Sequence, residues 1–308
     1  MSTEDSQGGV ELEIGDPYEQ ERVIRHHARM QAEDEQRRHE DMSVQARTAY
    51  LCMRLGDFYI RCGKIDRALG EYKRAVKMDQ NNAIFRTRLG DTYVLKDMFE
   101  PALTQYRQAI RSDPQTPEPR VSLGDLYRRF GMNIQAMEQY RVAVKAEPNR
   151  AYYRFKLADT LTAAGHMNGA MEELRLTVSL APNDAFYRFR MGDLCLKLGR
   201  VREAVRELKA AARLAPYDGY YLIRFAIASL AVGAVVEAVD ALRAALRTEP
   251  GNRCYRVLLA DAYLEAGLES EAVRLMAAVG ELDSYEMEFV GRRRLELNRA
   301  ENDAAGLA

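Results

Sequence analysis

Two rows of charged residues are the first feature of this 308-residue chain with the right types for site chemistry. Basic side chains stand at Arg54, Arg88, Lys156, Arg190 and Arg224, and four of them are followed three residues later by Asp57, Asp91, Asp159 and Asp193. At that offset two helical side chains share a face, so each base can meet an acid, and stacking of units also brings these rows near the next unit. The result is either a self-neutralised ladder, worth about 0.2–0.5 kcal/mol per pair, or a row of charges that a partner breaks into for specificity. The acids recur at a fixed period, which suits a structural ladder better than a catalytic pair. Catalytic signatures are missing: there is no P-loop, G-x-G-x-x-G, H-E-x-x-H or G-x-S-x-G. His26, His27 and His39 sit in a charged segment without metal-face spacing, and His166 lies beside Gly165 in a turn. Cys52, Cys62, Cys195 and Cys254 form no C-x-x-C pair and read as free thiols in a reducing compartment. No cofactor and no enzymatic activity are expected.

The elements that position these rows come from a repeat. "YYRFKLAD" begins at Tyr152, and "FYRFRMGD" begins 34 residues later at Phe186. Written in registers of 34 from Ala49, seven copies align. The eighth place is small: Gly56, Gly90, Gly124, Ala158, Gly192, Ala226 and Ala260. The twentieth is alanine throughout, from Ala68 to Ala272. Small residues at these places let two helix backbones approach. Glycines such as Gly63, Gly131 and Gly165 at place fifteen can take the left-handed conformation that stops a first helix. Prolines such as Pro114, Pro148 and Pro182 at place thirty-two stop a second. Each copy is therefore two antiparallel helices.

The pattern, as in "LGDTYVLKDMFEPALTQYRQAIRSDP" from Leu89 to Pro114, resembles the tetratricopeptide repeat. Tryptophan, frequent at that family's fourth place, is absent; Arg86, Arg120, Arg154, Arg188 and Arg256 stand there. The resemblance implies an all-α fold, a right-handed superhelical solenoid of seven helix-turn-helix repeats with a concave groove. Residues 49–282 form the solenoid on this reading, and residues 283–300 form a C-terminal capping helix. That helix is apolar at Tyr285, Phe289 and Val290, with its charged remainder facing water. Residues 301–308 are expected to be a disordered tail.

The family's groove is lined by places two, five, six, nine, twelve and thirteen. Place two holds Tyr152, Phe186 and Tyr220; place five holds Phe155, Phe189 and Ile223. In the sixth repeat Ile227 and Leu230 join them, beside Arg190 and Arg224 of the charged row. These ten residues are the expected partner-binding site: an apolar stripe framed by charge. The competing expectation is that the rings pack on one another. So much open apolar area calls for a bound protein segment, either an amphipathic helix or an extended peptide. Aspartate at place nine would repel a terminal carboxylate, which argues against a chaperone C-terminus as ligand.

The ends and totals complete the picture. Residues 1–17 carry five acids and no Lys or Arg, and read as a disordered acidic tail. Residues 18–48 read as a charged helical arm with a thin apolar face, either solvated or docked on a partner. The formal net charge of −1 argues against nucleic-acid binding. The polar start argues against a secretory signal. The longest apolar run, Phe225 to Val236, falls short of the ~20 residues that span a bilayer. The expected function is a non-catalytic, cytoplasmic interaction scaffold, a subunit of a multiprotein complex. The alternatives are an assembly chaperone that holds a subunit transiently, and the regulatory arm of an enzyme complex. Self-association through the groove or the ends also fits.

Overall fold

A computed structural model of the chain describes residue 30 and residues 43–306. The expected acidic tail and almost all of the charged arm lie outside the described residues. The arm's final residues, from Val44, are the start of the first described helix.

Among the described residues all regular structure is α-helical, in fifteen helices. The chain divides into two compact units at Met98 and Phe99. The first unit holds α1 (Val44–Arg61), α2 (Ile65–Met78) and α3 (Ala83–Leu95). The second begins with α4 (Phe99–Ser112) and continues through five hairpins. These are α5 and α6 (Glu118–Arg129, Asn133–Ala146), α7 and α8 (Ala151–Ala163, Met167–Leu180), and α9 and α10 (Ala185–Lys197, Val201–Leu214). Next come α11 and α12 (Gly219–Leu230, Val235–Thr248), then α13 and α14 (Arg253–Glu265, Glu269–Ala277). The last helix is α15 (Ser284–Ala305).

The repeat columns account for this order. Gly165 ends α7 with φ 81°, and the glycines at the same place of other repeats are also left-handed. The second repeat makes the same turn with Asp97 at φ 55°. An Asn or Asp before the first helix supplies a side-chain N-cap in repeats two, five, six and seven. Asn82 accepts from the backbone N–H groups of Ile84 and Phe85, and Asp184 accepts from those of Phe186 and Tyr187.

Close packing of each hairpin follows from the small places. Ala68, Ala136, Ala170, Ala204 and Ala238 are fully buried. A Cβ on Gly56 would stand 2.7 Å from the Tyr72 ring, and one on Gly124 would stand 2.7 Å from the Tyr140 ring. The facing side chain fills the space a Cβ would take, a tyrosine in these two repeats and Leu208 against Gly192 in the fifth. In the fourth repeat Leu174 takes the tyrosine's place, and Ala158 takes the glycine's.

Arginine at the fourth place does a different job from a buried aromatic ring. Arg154 Nε donates to the Pro148 carbonyl at 2.7 Å, and its Nη1 donates to Glu173 at 2.8 Å. Arg188 repeats this on Pro182 and Glu207 at 2.6 and 2.9 Å. The guanidinium fork ties the inter-repeat turn to the second helix by hydrogen bonds.

The C-terminal helix departs from expectation. It runs to Ala305, so residues 301–305 are helical. Tyr285, expected on its apolar side, is exposed, while Arg293 is largely buried. Its packing partners are α10, α11 and α13. It therefore lies across the first helices of the last repeats; Arg293, Arg294 and Glu296 engage that surface, while Glu288 and Arg292 face water as expected.

Candidate partner-binding face

The first helices α7, α9 and α11 carry the ten predicted site residues, and α5 and α13 continue the acidic row with Asp125 and Asp261. Their charged rows do pair, but between repeats. Lys156 Nζ donates to Asp125 at 2.8 Å; Arg190 pairs with Asp159, and Arg224 pairs with Asp193. In the first unit Arg88 stands 3.7 Å from Asp57. Of the two expected arrangements, pairing across stacked repeats is the one that Lys156 and Arg190 make, in place of the three-residue pairing within one helix. Lys156 and Arg190 reach back to the acid of the preceding repeat, because stacking sets place six of one helix opposite place nine of the helix before. A base N-terminal to its acid is also the less favourable order on a single helix.

Each acid is fixed from a second side. The Tyr72 hydroxyl donates to Asp57 at 2.6 Å, and the Tyr140 hydroxyl donates to Asp125. Arg128 reaches Asp159, and Lys197 stands 3.3 Å from Asp193. Burial, with the neighbouring aspartate, holds the Tyr140 hydroxyl far above the ordinary tyrosine pKa, and Tyr72 is raised likewise. Burial alone would lower the Lys156 ammonium, but Asp125 and Tyr152 together outweigh that and raise it.

The aromatic residues lock onto one another across repeats. Phe155 meets Phe186 edge-on at 5.0 Å, and Phe189 meets Tyr220 at 5.4 Å. Phe189 also stacks on Tyr221 at 4.8 Å and 18°. These distances are those of favourable aromatic pairs. Tyr152, Phe186 and Tyr220 nevertheless stay 43%, 41% and 41% exposed. Phe155 and Arg190 are half-buried, with the Arg190 guanidinium 5.7 Å from the Phe155 ring centroid.

The remaining predicted residues are not open. Phe189, Ile223, Arg224, Ile227 and Leu230 are buried, which corrects the expectation of a continuous exposed stripe. For Phe189 the cause is the pair of tyrosine rings from the next repeat. Ile223, Ile227 and Leu230 belong to the core cluster that includes Val290, with Phe289 and Leu297 packed against it. The cover is α15. Arg224 is buried between Asp193 and Glu296, and Arg293 lies 5.4 Å from the Tyr220 ring centroid. Arg294 closes the charged row on Asp261 with two bonds of 2.8 Å. At the far end Ala300 packs with Val201 and Ala231.

Sequence reasoning missed Glu296, Arg293, Arg294 and Ala300 as members of this face. A signal existed: Val290, Leu297 and Ala304 recur every seven residues, one stripe along a helix longer than a cap needs.

Tetratricopeptide repeat models match residues 56–97, 85–116, 189–253 and 229–284. The chain belongs to the tetratricopeptide repeat family. No curated protein matches significantly. Among solved structures, pilF from Pseudomonas aeruginosa has a TM-score of 0.61 at 17% identity, covering 71% of this chain and 100% of that one. A tetratricopeptide repeat protein from Parabacteroides merdae has a TM-score of 0.54 at 14% identity, covering 80% and 99%. YrrB, described as a TPR protein with an unusual peptide-binding site, has a TM-score of 0.50 at 19% identity, covering 64% and 97%. At these identities the likeness shows the fold. Tetratricopeptide repeat proteins bind protein partners, and the fold serves interaction more generally than catalysis. Among the described residues no helix is long and apolar enough to cross a membrane.

Proposed function

We propose that this tetratricopeptide repeat protein is a non-catalytic, cytoplasmic scaffold that holds a segment of a partner protein against its first-helix face, as a subunit of a multiprotein complex. The observation carrying this reading is the exposed trio Tyr152, Phe186 and Tyr220, one per repeat, with Lys156 of the ladder over the Tyr152 ring and Arg293 over the Tyr220 ring. Large rings at regular spacing with a polar rim have the composition of an interface centre. The rings hold one another at fixed geometry, so little side-chain freedom is lost on binding.

The reading is tested by purifying the tagged protein gently from its own cells and identifying what accompanies it, beside a Tyr152→Asp/Phe186→Asp variant. A partner at fixed stoichiometry, lost in the variant, is expected. Equal recovery with both proteins would remove the face from consideration. Association only with immature complexes would favour an assembly chaperone.

A further inference from the structure

α11 and the helix that covers it are mismatched. α11 buries ten residues, including every one from Leu222 to Leu230. α15 fully buries only Val290 and Ala300 out of 22 residues. An element with so few buried apolar contacts opens at low free energy. The polar contacts are also incomplete. Arg224 is 5% exposed, and its Nε has no hydrogen-bond partner, although its two terminal nitrogens reach Asp193 and Glu296. Arg293 Nε is likewise buried and unpartnered. A buried guanidinium with an unsatisfied N–H is an unfavourable arrangement that a better-placed acceptor relieves. The connection from α14 to α15, residues 278–283, turns at Gly280 with φ 68° and leaves α15 joined to the last repeat by a short tether.

We propose that the first-helix face of repeats five to seven is a docking site for an amphipathic helix of a partner protein that presents an acid to Arg224 and a base to Asp261, and that α15 occupies it in the unbound chain as a displaceable substitute. The incoming helix places small or branched apolar residues over Ile223 and Ile227. It presents a carboxylate side-on to Arg224, where both Nε and a terminal nitrogen can be satisfied by one acid. Its charge pattern follows from the site: displacing α15 takes Glu296 from Arg224 and Arg294 from Asp261, so the helix carries a carboxylate for the one and a base for the other. Because α15 is tethered, its effective concentration is high, and the partner must compete with it. This deepens the scaffold reading and rests on it.

The test uses the full-length chain and a fluorescein-labelled peptide of residues 284–305, the one sequence whose fit to the face is known. Glu296→Arg in the chain weakens the tethered helix without touching the face beneath. Labelled peptide should bind this variant at least tenfold more tightly than wild type, and a peptide carrying the same Glu296→Arg change should bind neither. On unmodified protein, excess peptide should accelerate hydrogen exchange in the chain's own residues 284–305 and leave α7 unaffected. This measurement needs no variant to fold. Equal peptide binding to wild type and variant, or exchange in α15 as slow as in α11 and indifferent to peptide, would overturn the proposal. In either case, partner loss in the Tyr152→Asp/Phe186→Asp variant would still stand for the scaffold reading, so the two failures are distinguishable.

Discussion

Arg224 is ion-paired to Glu296, 72 residues further along the chain, and to Asp193 in the preceding repeat. The guanidinium is buried, while Glu296 remains partly exposed. One charge therefore joins the body of the array to its last helix. Glu296→Ala should cost about 1–2 kcal/mol, discounted from a fully buried pair because the carboxylate is partly solvated. Urea denaturation at neutral pH measures it. Glu288→Ala, which removes a solvent-exposed pair with Arg292, should leave the midpoint unchanged.

The contact between Gly124 and Tyr140 makes a second prediction. Gly124→Ala should destabilise by about 1–3 kcal/mol through overpacking, because the ring is fully buried and has nowhere to move. In a Tyr140→Leu background the same change should cost less, because a leucine side chain yields more readily than a buried ring, although Leu208 stands as close to Gly192 in repeat five. A thermal-denaturation double-mutant cycle reads the coupling. Repeat four carries this pairing naturally as Ala158 and Leu174.

Alkaline pH should unfold the protein through its buried tyrosines. Tyr72 and Tyr140 keep their protons in the folded state well above the ordinary tyrosine value, chiefly through burial, with the bonded aspartates adding to it. The unfolded chain releases these protons near pH 10. Their contribution to stability is thus fully present below about pH 10 and is lost as pH rises beyond it. Tyr140→Phe should cost about 1 kcal/mol at pH 7 from the lost hydrogen bond, and should flatten the decline between pH 9 and 11. Stability measured across that range, in the variant and in wild type, checks both effects.

Burial separates residues that the sequence pattern groups together. Ile227→Asp should destabilise by about 4 kcal/mol or more, because an unpaired carboxylate enters the core. Tyr152→Asp or Phe186→Asp should cost about 1 kcal/mol each, mostly lost ring packing. Circular dichroism melts of the three variants test this ordering, and it decides which substitutions can be used to probe binding.

The amino-acid sequence by itself determined the hairpins. Gly165 and its counterparts, the buried alanines and the terminal prolines act within one repeat or between neighbours, over distances the 34-residue register spans. Local turn chemistry and nearest-neighbour packing can be read from a linear string for that reason. The candidate site was half legible. Tyr152, Phe186 and Tyr220 are exposed at the expected places, since a repeat column dictates which way a side chain leaves its helix. The direction of the ladder and the fate of Ile223, Ile227 and Leu230 were decided only by tertiary structure. Lys156 faces Asp125 because stacked helices are set level with one another, and no spacing within one helix carries that offset. Ile223 is buried in a core to which a helix about seventy residues downstream contributes Val290. That choice rests on the apolarity of two separated segments meeting in space, with Arg224 and Glu296 fixing how they meet, and neither segment announces the other.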